Sequence, residues 1–116
     1  MKKLVSLALA LIMALSLCSF ASAEEPTLVR FWHNRSSGAN LEACEKAVDE
    51  FNKTIGKEKN IFVEATYIGG YPELYSKCQL ASQTDEVPTV AVFGNTYIVS
   101  LLEDELLADM APYAEK

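Results

Sequence analysis

Apolar and polar positions repeat one plan three times along this chain. Each repeat is a short apolar run, a polar or glycine-rich loop, and a stretch with apolar residues at helical spacing. Leu28-Val29-Arg30-Phe31-Trp32 is rich in the branched and aromatic residues that strands favour. It stops at His33-Asn34-Arg35-Ser36-Ser37-Gly38, where every residue is polar or glycine. Asn40 then reads as a helix N-cap. From Leu41 to about Ile55, the residues Leu41, Cys44, Val48, Phe51 and Ile55 recur at spacings of three and four, one face of an amphipathic helix. Gly56 reads as its C-terminal stop, and Lys57-Glu58-Lys59-Asn60 as a solvated turn.

The second repeat runs from a strand over 61–68, with Val63, Ala65 and Tyr67 alternating against Glu64 and Thr66, into Gly69-Gly70-Tyr71-Pro72. Paired glycines admit backbone conformations closed to other residues, and Pro72 suits a first helical turn. A helix over 72–82 follows, with Leu74, Cys78 and Ala81 inward. In the third repeat, Pro88 precedes Thr89-Val90-Ala91-Val92-Phe93, apolar enough to predict a strand covered on both faces. Gly94-Asn95-Thr96 leads into a helix over 97–103, and 106–113 is a short apolar piece ending at Pro112-Tyr113. Strands alternating with helices predict an α/β fold with a parallel sheet. All three loops then share one edge, where ligands of open α/β sheets bind. Helix N-termini directed at that edge favour anionic or hydroxyl-rich ligands.

Residues 1–23 carry a different pattern. Lys2 and Lys3 precede an apolar run from Leu4 to Leu17, and Ala21-Ser22-Ala23 has the small-residue form of a cleavage site. This predicts a signal peptide and an exported product, periplasmic or extracellular, beginning at Glu24. Membrane helices need about 20 apolar residues, and this run is shorter. Without Lys2 and Lys3 the 10 basic side chains fall to 8 against 16 acidic ones, a net charge of −8. Nucleic acids and anionic membrane surfaces are held by Lys and Arg, so neither is an expected partner.

Cys18 leaves with the signal, and Cys44 and Cys78 each fall on an apolar helical stripe, where a free thiol serves as a small apolar side chain. Export permits a disulfide between them, but two cysteines do not make a disulfide framework. With one histidine in the chain no zinc set is expected, and no cofactor is implied. There is no G-x-S-x-G and no phosphate loop of the Walker type, and among the acids only Glu73 lies beside a loop cluster. A small secreted α/β hydrolase is therefore the weaker expectation, and a non-enzymatic binding protein the stronger.

Several stretches carry a resemblance in order: Phe31-Trp32-His33, Val48-Asp49-Glu50-Phe51-Asn52, Tyr67-Ile68-Gly69-Gly70-Tyr71, Pro88 with its strand, and 106–113. Together these resemble the N-terminal part of bacterial extracellular solute-binding proteins of the family 1 type, the sugar and glycerol-phosphate receptors of ABC importers. The resemblance implies the start of the first lobe of a two-lobed receptor that closes on its solute and delivers it to a membrane permease. It also implies that Tyr71 is a stacking or hydroxyl contact, that Asn95 is a polar contact, and that His33 lies at the cleft mouth. The glycerol-phosphate receptors tend to carry an acidic residue at the position of Asn95, which leaves sugars open. For His33 the alternative is a ring packed at the strand end, and for Asn95 helix capping; alternation turns Trp32 away from His33 and into the core. Family members have a second lobe beyond the stretch matched here, so a fragment and a partial, non-functional remnant are both readings of this sequence.

Overall fold

The structure is a computed structural model in which residues 24–114 are described. The signal-peptide reading of 1–23 lies outside them. The strands are β1 (Thr27–His33), β2 (Ile61–Tyr67) and β3 (Val90–Ala91). The helices are α1 (Gly38–Lys53), α2 (Ile55–Lys59), α3 (Tyr71–Ala81), α4 (Asn95–Glu103) and α5 (Ala111–Ala114). The protein is α/β, and its three strands form one parallel sheet in the order β2-β1-β3. β1 is central. Its residues from Thr27 to His33 stand opposite Ile61 to Tyr67 of β2, while Phe31 and Trp32 stand opposite Val90 and Ala91 of β3.

Alternation along β1 sends Trp32 to one face, and α3 covers it there. Trp32, Leu74, Cys78 and Ala81 form the buried cluster, with Ile68, Ala91 and Phe93 packed against it. Leu74 is fully enclosed at 0 % exposure. Lys77 lays its ammonium 5.0 Å from the centre of the Trp32 ring, a cation–π contact that closes the cluster from outside. Cys44 and Cys78 are both free thiols, and burial pushes the Cys78 thiol pKa up, keeping it neutral. The helical stripe read from the sequence for α3 is thus the stripe that is buried.

Helices α1 and α2 pack against β2. No residue of α1 is fully buried: Leu41, Cys44, Val48 and Phe51 are half-covered. Asn52 ties α1 to β2. The Val63 N–H donates to Asn52 Oδ1 at 2.8 Å, and Asn52 Nδ2 donates to the Val63 carbonyl at 2.9 Å. One side-chain amide therefore satisfies both backbone groups of an edge-strand residue, which blunts that edge against foreign strands.

Three local expectations are corrected. Asn40 is not the cap of α1: the helix starts two residues earlier, at Gly38, with Ser37 in the cap position. Gly38 has φ +73 and open space around it, so backbone conformation and not crowding calls for glycine there. Gly56 does not stop a helix. The first helix ends at Thr54, where the Thr54 hydroxyl and N–H both donate to the Glu50 carbonyl, and Lys57 to Lys59 continue as α2 rather than as a solvated turn. The left-handed stop falls on Asn60, at φ 55. Gly56 is small because a β-carbon on it would lie 2.6 Å from the Ile61 carbonyl oxygen and 3.0 Å from Phe51 Cε1. We expect Gly56→Ala to force the turn into β2 apart and lower stability by about 1–3 kcal/mol; a urea midpoint equal to wild type would contradict this packing.

The third correction concerns β3. Two residues pair in the strand ladder, and Val90 is 51 % exposed instead of covered on both faces. Among the described residues β3 is an edge of the sheet, so its apolar side chains have no neighbouring strand and only partial helix cover. Hydrogen bonds from the Thr89 N–H to the Arg30 carbonyl and from the Val92 N–H to the Trp32 carbonyl extend its attachment to β1.

Candidate functional site

Parallel strands deliver their carboxyl ends to one edge. The chain leaves β1 for β2 on one side, and after β2 it crosses to β3 on the other. Between β1 and β3 the strand order reverses, and connections diverge there to opposite sides of the sheet, the place where open α/β sheets bind their ligands. Helices α1, α3 and α4 start at this edge, and none has a side-chain cap bonded to its first turn. Their leading N–H groups are therefore not bonded by a cap side chain.

Tyr71 and Asn95 come together at this edge. Tyr71 is the first residue of α3, and its ring lies over Gly94 so closely that a β-carbon on Gly94 would stand 3.3 Å from Tyr71 Cε2. Asn95 follows immediately as the first residue of α4 and is exposed. Gly94, not Asn95, holds the cap position, so the amide of Asn95 is not spent on capping. Tyr97 organises the surroundings: its ring stands 6.1 Å from Tyr71, 5.5 Å from Tyr75 and 6.1 Å from Phe93, all tilted by 41–45°. Such tilted pairs are favourable for aromatic quadrupoles. Beneath them the Tyr75 hydroxyl donates to Asp104 Oδ2 at 2.6 Å, and Gln79 Nε2 donates to the same oxygen at 2.9 Å. The bond to Asp104 holds the Tyr75 hydroxyl pKa above its ordinary value. These contacts brace α3 against α4 and set the angle at which Tyr71 meets Gly94.

On the near side of Tyr71, Glu73 folds back over the loop: a β-carbon on Gly70 would meet Glu73 Oε2 at 2.9 Å. A carboxylate in the first turn of α3 already complements that helix's positive end. This bears on ligand charge, because an anion at the same point would face Glu73.

His33 is separate from this pair. It is 3 % exposed and lies on the face of β1 opposite Trp32, with its ring 5.6 Å from Phe31 and 6.2 Å from Tyr67. Its Nδ1 accepts a hydrogen bond from the Arg35 N–H at 3.2 Å, which leaves the ring proton on Nε2. The structure thus places His33 as a ring packed at the strand end. Its pKa is lowered, first by burial and then by the Arg35 guanidinium, with Glu45 pulling partly the other way. An unfolded histidine takes up its proton near 6.5, the folded one only at lower pH, so stability falls as pH drops below about 6.5 towards the folded value. Urea midpoints recorded across that range should decline on the acid side in the wild type and decline less in His33→Asn.

Two groups escaped the sequence reading. Tyr97 is one: Tyr71 and Tyr75 share a helix face at i, i+4, but no sequence pattern places a ring from the next helix against them. Asn34 Oδ1 is buried with no hydrogen-bond donor, a condition no sequence pattern announces. A cavity of about 360 Å³ is lined by apolar residues that include Cys78, Val90, Phe93, Leu101 and Met110, and none of Tyr71, Asn95 or His33 borders it. Among the described residues no group of His, Cys, Asp and Glu is arranged to hold a metal, and no helix is long and apolar enough to cross a membrane. No protein-family model matches the chain, and no curated protein matches it.

Proposed function

We propose that this chain is the N-terminal part of the first lobe of an exported, non-enzymatic solute-binding protein of an ABC importer, which captures a sugar or sugar-like solute for a membrane permease. The observation that carries this reading is the approach of Tyr71 to Gly94 beside the exposed Asn95, at the point where the strand order reverses. A tyrosine ring offers a flat apolar face for a sugar ring and a hydroxyl for its substituents, and a free amide offers both donor and acceptor. Glu73 at the start of α3 favours an uncharged, hydroxyl-bearing solute over glycerol phosphate. The ordered stretches that resemble family 1 receptors point the same way. The edge is an open surface, and solute sites bury most of their ligand, so a second lobe would supply the other wall of the cleft.

The test starts with the reading frame beyond the Lys116 codon. Where it continues into a second lobe, titration calorimetry of the longer protein against neutral mono- and disaccharides should give saturable binding, with glycerol 3-phosphate weaker. Absence of binding across that panel, or turnover of glycosides or phosphate esters, would overturn the receptor reading. A second reading has its own observation: Val90, Leu102 and Met110 are 51 %, 65 % and 65 % exposed, an apolar surface of the kind a partial lobe presents. Under that reading the chain is a remnant without binding activity, and cooperative unfolding with an ordinary midpoint would count against it.

A further inference from the structure

We propose that His33 latches the loop between β1 and α1 and that acid releases this latch, freeing residues 34–37 without unfolding the core. The latch is the hydrogen bond from the Arg35 N–H to His33 Nδ1, at 3.2 Å. It exists only while that nitrogen is an acceptor. A second ring proton enters at Nδ1, turns the acceptor into a donor, and leaves two N–H groups facing each other. Taking up the charge in place is disfavoured, because the ring is 3 % exposed and packed against Phe31 on its own strand and Tyr67 on β2. The charged groups that bear on it are the Arg35 guanidinium in the loop, which opposes the imidazolium, and Glu45 on α1, which favours it. Protonation at Nδ1 therefore removes the acceptor that tethers the loop and favours an outward, hydrated position of the ring.

The loop is poised to leave. Asn34 Oδ1 is shut away from solvent with no donor, so opening hydrates an acceptor that the closed form leaves unmet. Ser37 does not bond its hydroxyl to the first turn of α1, so the loop lacks a cap bond at that end. Gly38, at φ +73 with nothing within 4 Å of a β-carbon, provides an unobstructed pivot. The core beneath is independent of these contacts, since Trp32, Leu74, Cys78 and Ala81 pack on the opposite face of the sheet.

The inference does not depend on the receptor reading and is tested by amide NMR on the ¹⁵N-labelled chain, titrated from about pH 8 to about pH 5. The Arg35 amide and the His33 ring should shift together with one midpoint below the ordinary histidine value, while the amides of Leu74 and Cys78 stay in place. In His33→Asn, whose side-chain oxygen stands near the position of Nδ1 and does not titrate, the Arg35 amide should remain fixed across the range. Glu45→Gln, which keeps the native latch, should move the shared midpoint to lower pH. An Arg35 amide that stays still while His33 titrates would overturn the proposal. So would loss of the core amides at the same midpoint, or an Arg35 shift that persists in His33→Asn.

Discussion

Leu74→Ala should destabilise this protein by about 2–5 kcal/mol, the range for emptying a fully buried leucine site. Leu74 has 0 % exposure and is the centre of the cluster that joins α3 to Trp32. The cluster is small, and its other members are Cys78 and Ala81, side chains with little reach to refill the space. A chain of this size has a total stability of roughly 5–15 kcal/mol, so this one truncation removes a large share of it. Urea unfolding followed by the fluorescence of Trp32, the chain's one tryptophan, reads the loss where it occurs. Leu80→Ala on the same helix is the control. Leu80 is 72 % exposed, and its truncation should stay within about 0.5 kcal/mol of wild type. Equal midpoints for Leu74→Ala and Leu80→Ala would mean that α3 is not docked on the sheet in solution, and the remnant reading would then gain.

Tyr71→Ala should weaken solute binding by at least about 1 kcal/mol, roughly fivefold in affinity, measured by calorimetry on the protein that contains both walls of the cleft. The ring is held over Gly94 and braced by Tyr97, so truncation removes a pre-positioned apolar face at little cost to the fold. Tyr71→Phe separates the two functions of the side chain: retained affinity assigns the effect to stacking, and a loss equal to that of Tyr71→Ala assigns it to the hydroxyl. Gly94→Ala, which brings a methyl group to 3.3 Å from the ring, should shift Tyr71 and weaken binding in between. Affinity unchanged in Tyr71→Ala would remove this residue from the site.

What was legible in the sequence divides along a physical line. In α3 and β1 the side-chain period alone identified the buried face, whereas the stripe read for the first helix ran one residue too far, since Ile55 falls in α2 and is 55 % exposed. The residues Leu74, Cys78 and Ala81 were readable as the inner stripe of α3, and Trp32 as the core side of β1, because helix and strand periods of 3.6 and 2 decide which side chains share a face. The order of strand, loop and helix, repeated, was enough for a parallel α/β sheet with its loops on one edge. Local punctuation was less secure. Glycine at 56 and asparagine at 40 have strong cap and stop preferences. Yet Gly56 answers to the Ile61 carbonyl approaching from the next strand, and α1 begins ahead of Asn40, at Gly38, with Ser37 in the cap position.

Only the tertiary structure decided which loop residues meet. Sequence distance says nothing of a contact between Tyr71 and Gly94, or of Tyr97 standing between Tyr71, Tyr75 and Phe93. These follow from the strand order β2-β1-β3, which brings α3 back across the sheet to the start of α4. The same order leaves β3 at an edge and exposes Val90, although its apolar run resembles that of a strand covered on both faces. His33 is the sharpest case. Its place after β1 was visible, but the sequence left both an exposed ligand contact and a packed ring open. The Tyr67 ring on the neighbouring strand and the Arg35 N–H of its own loop make it a buried acceptor, because burial and hydrogen bonding depend on what other segments bring to a side chain.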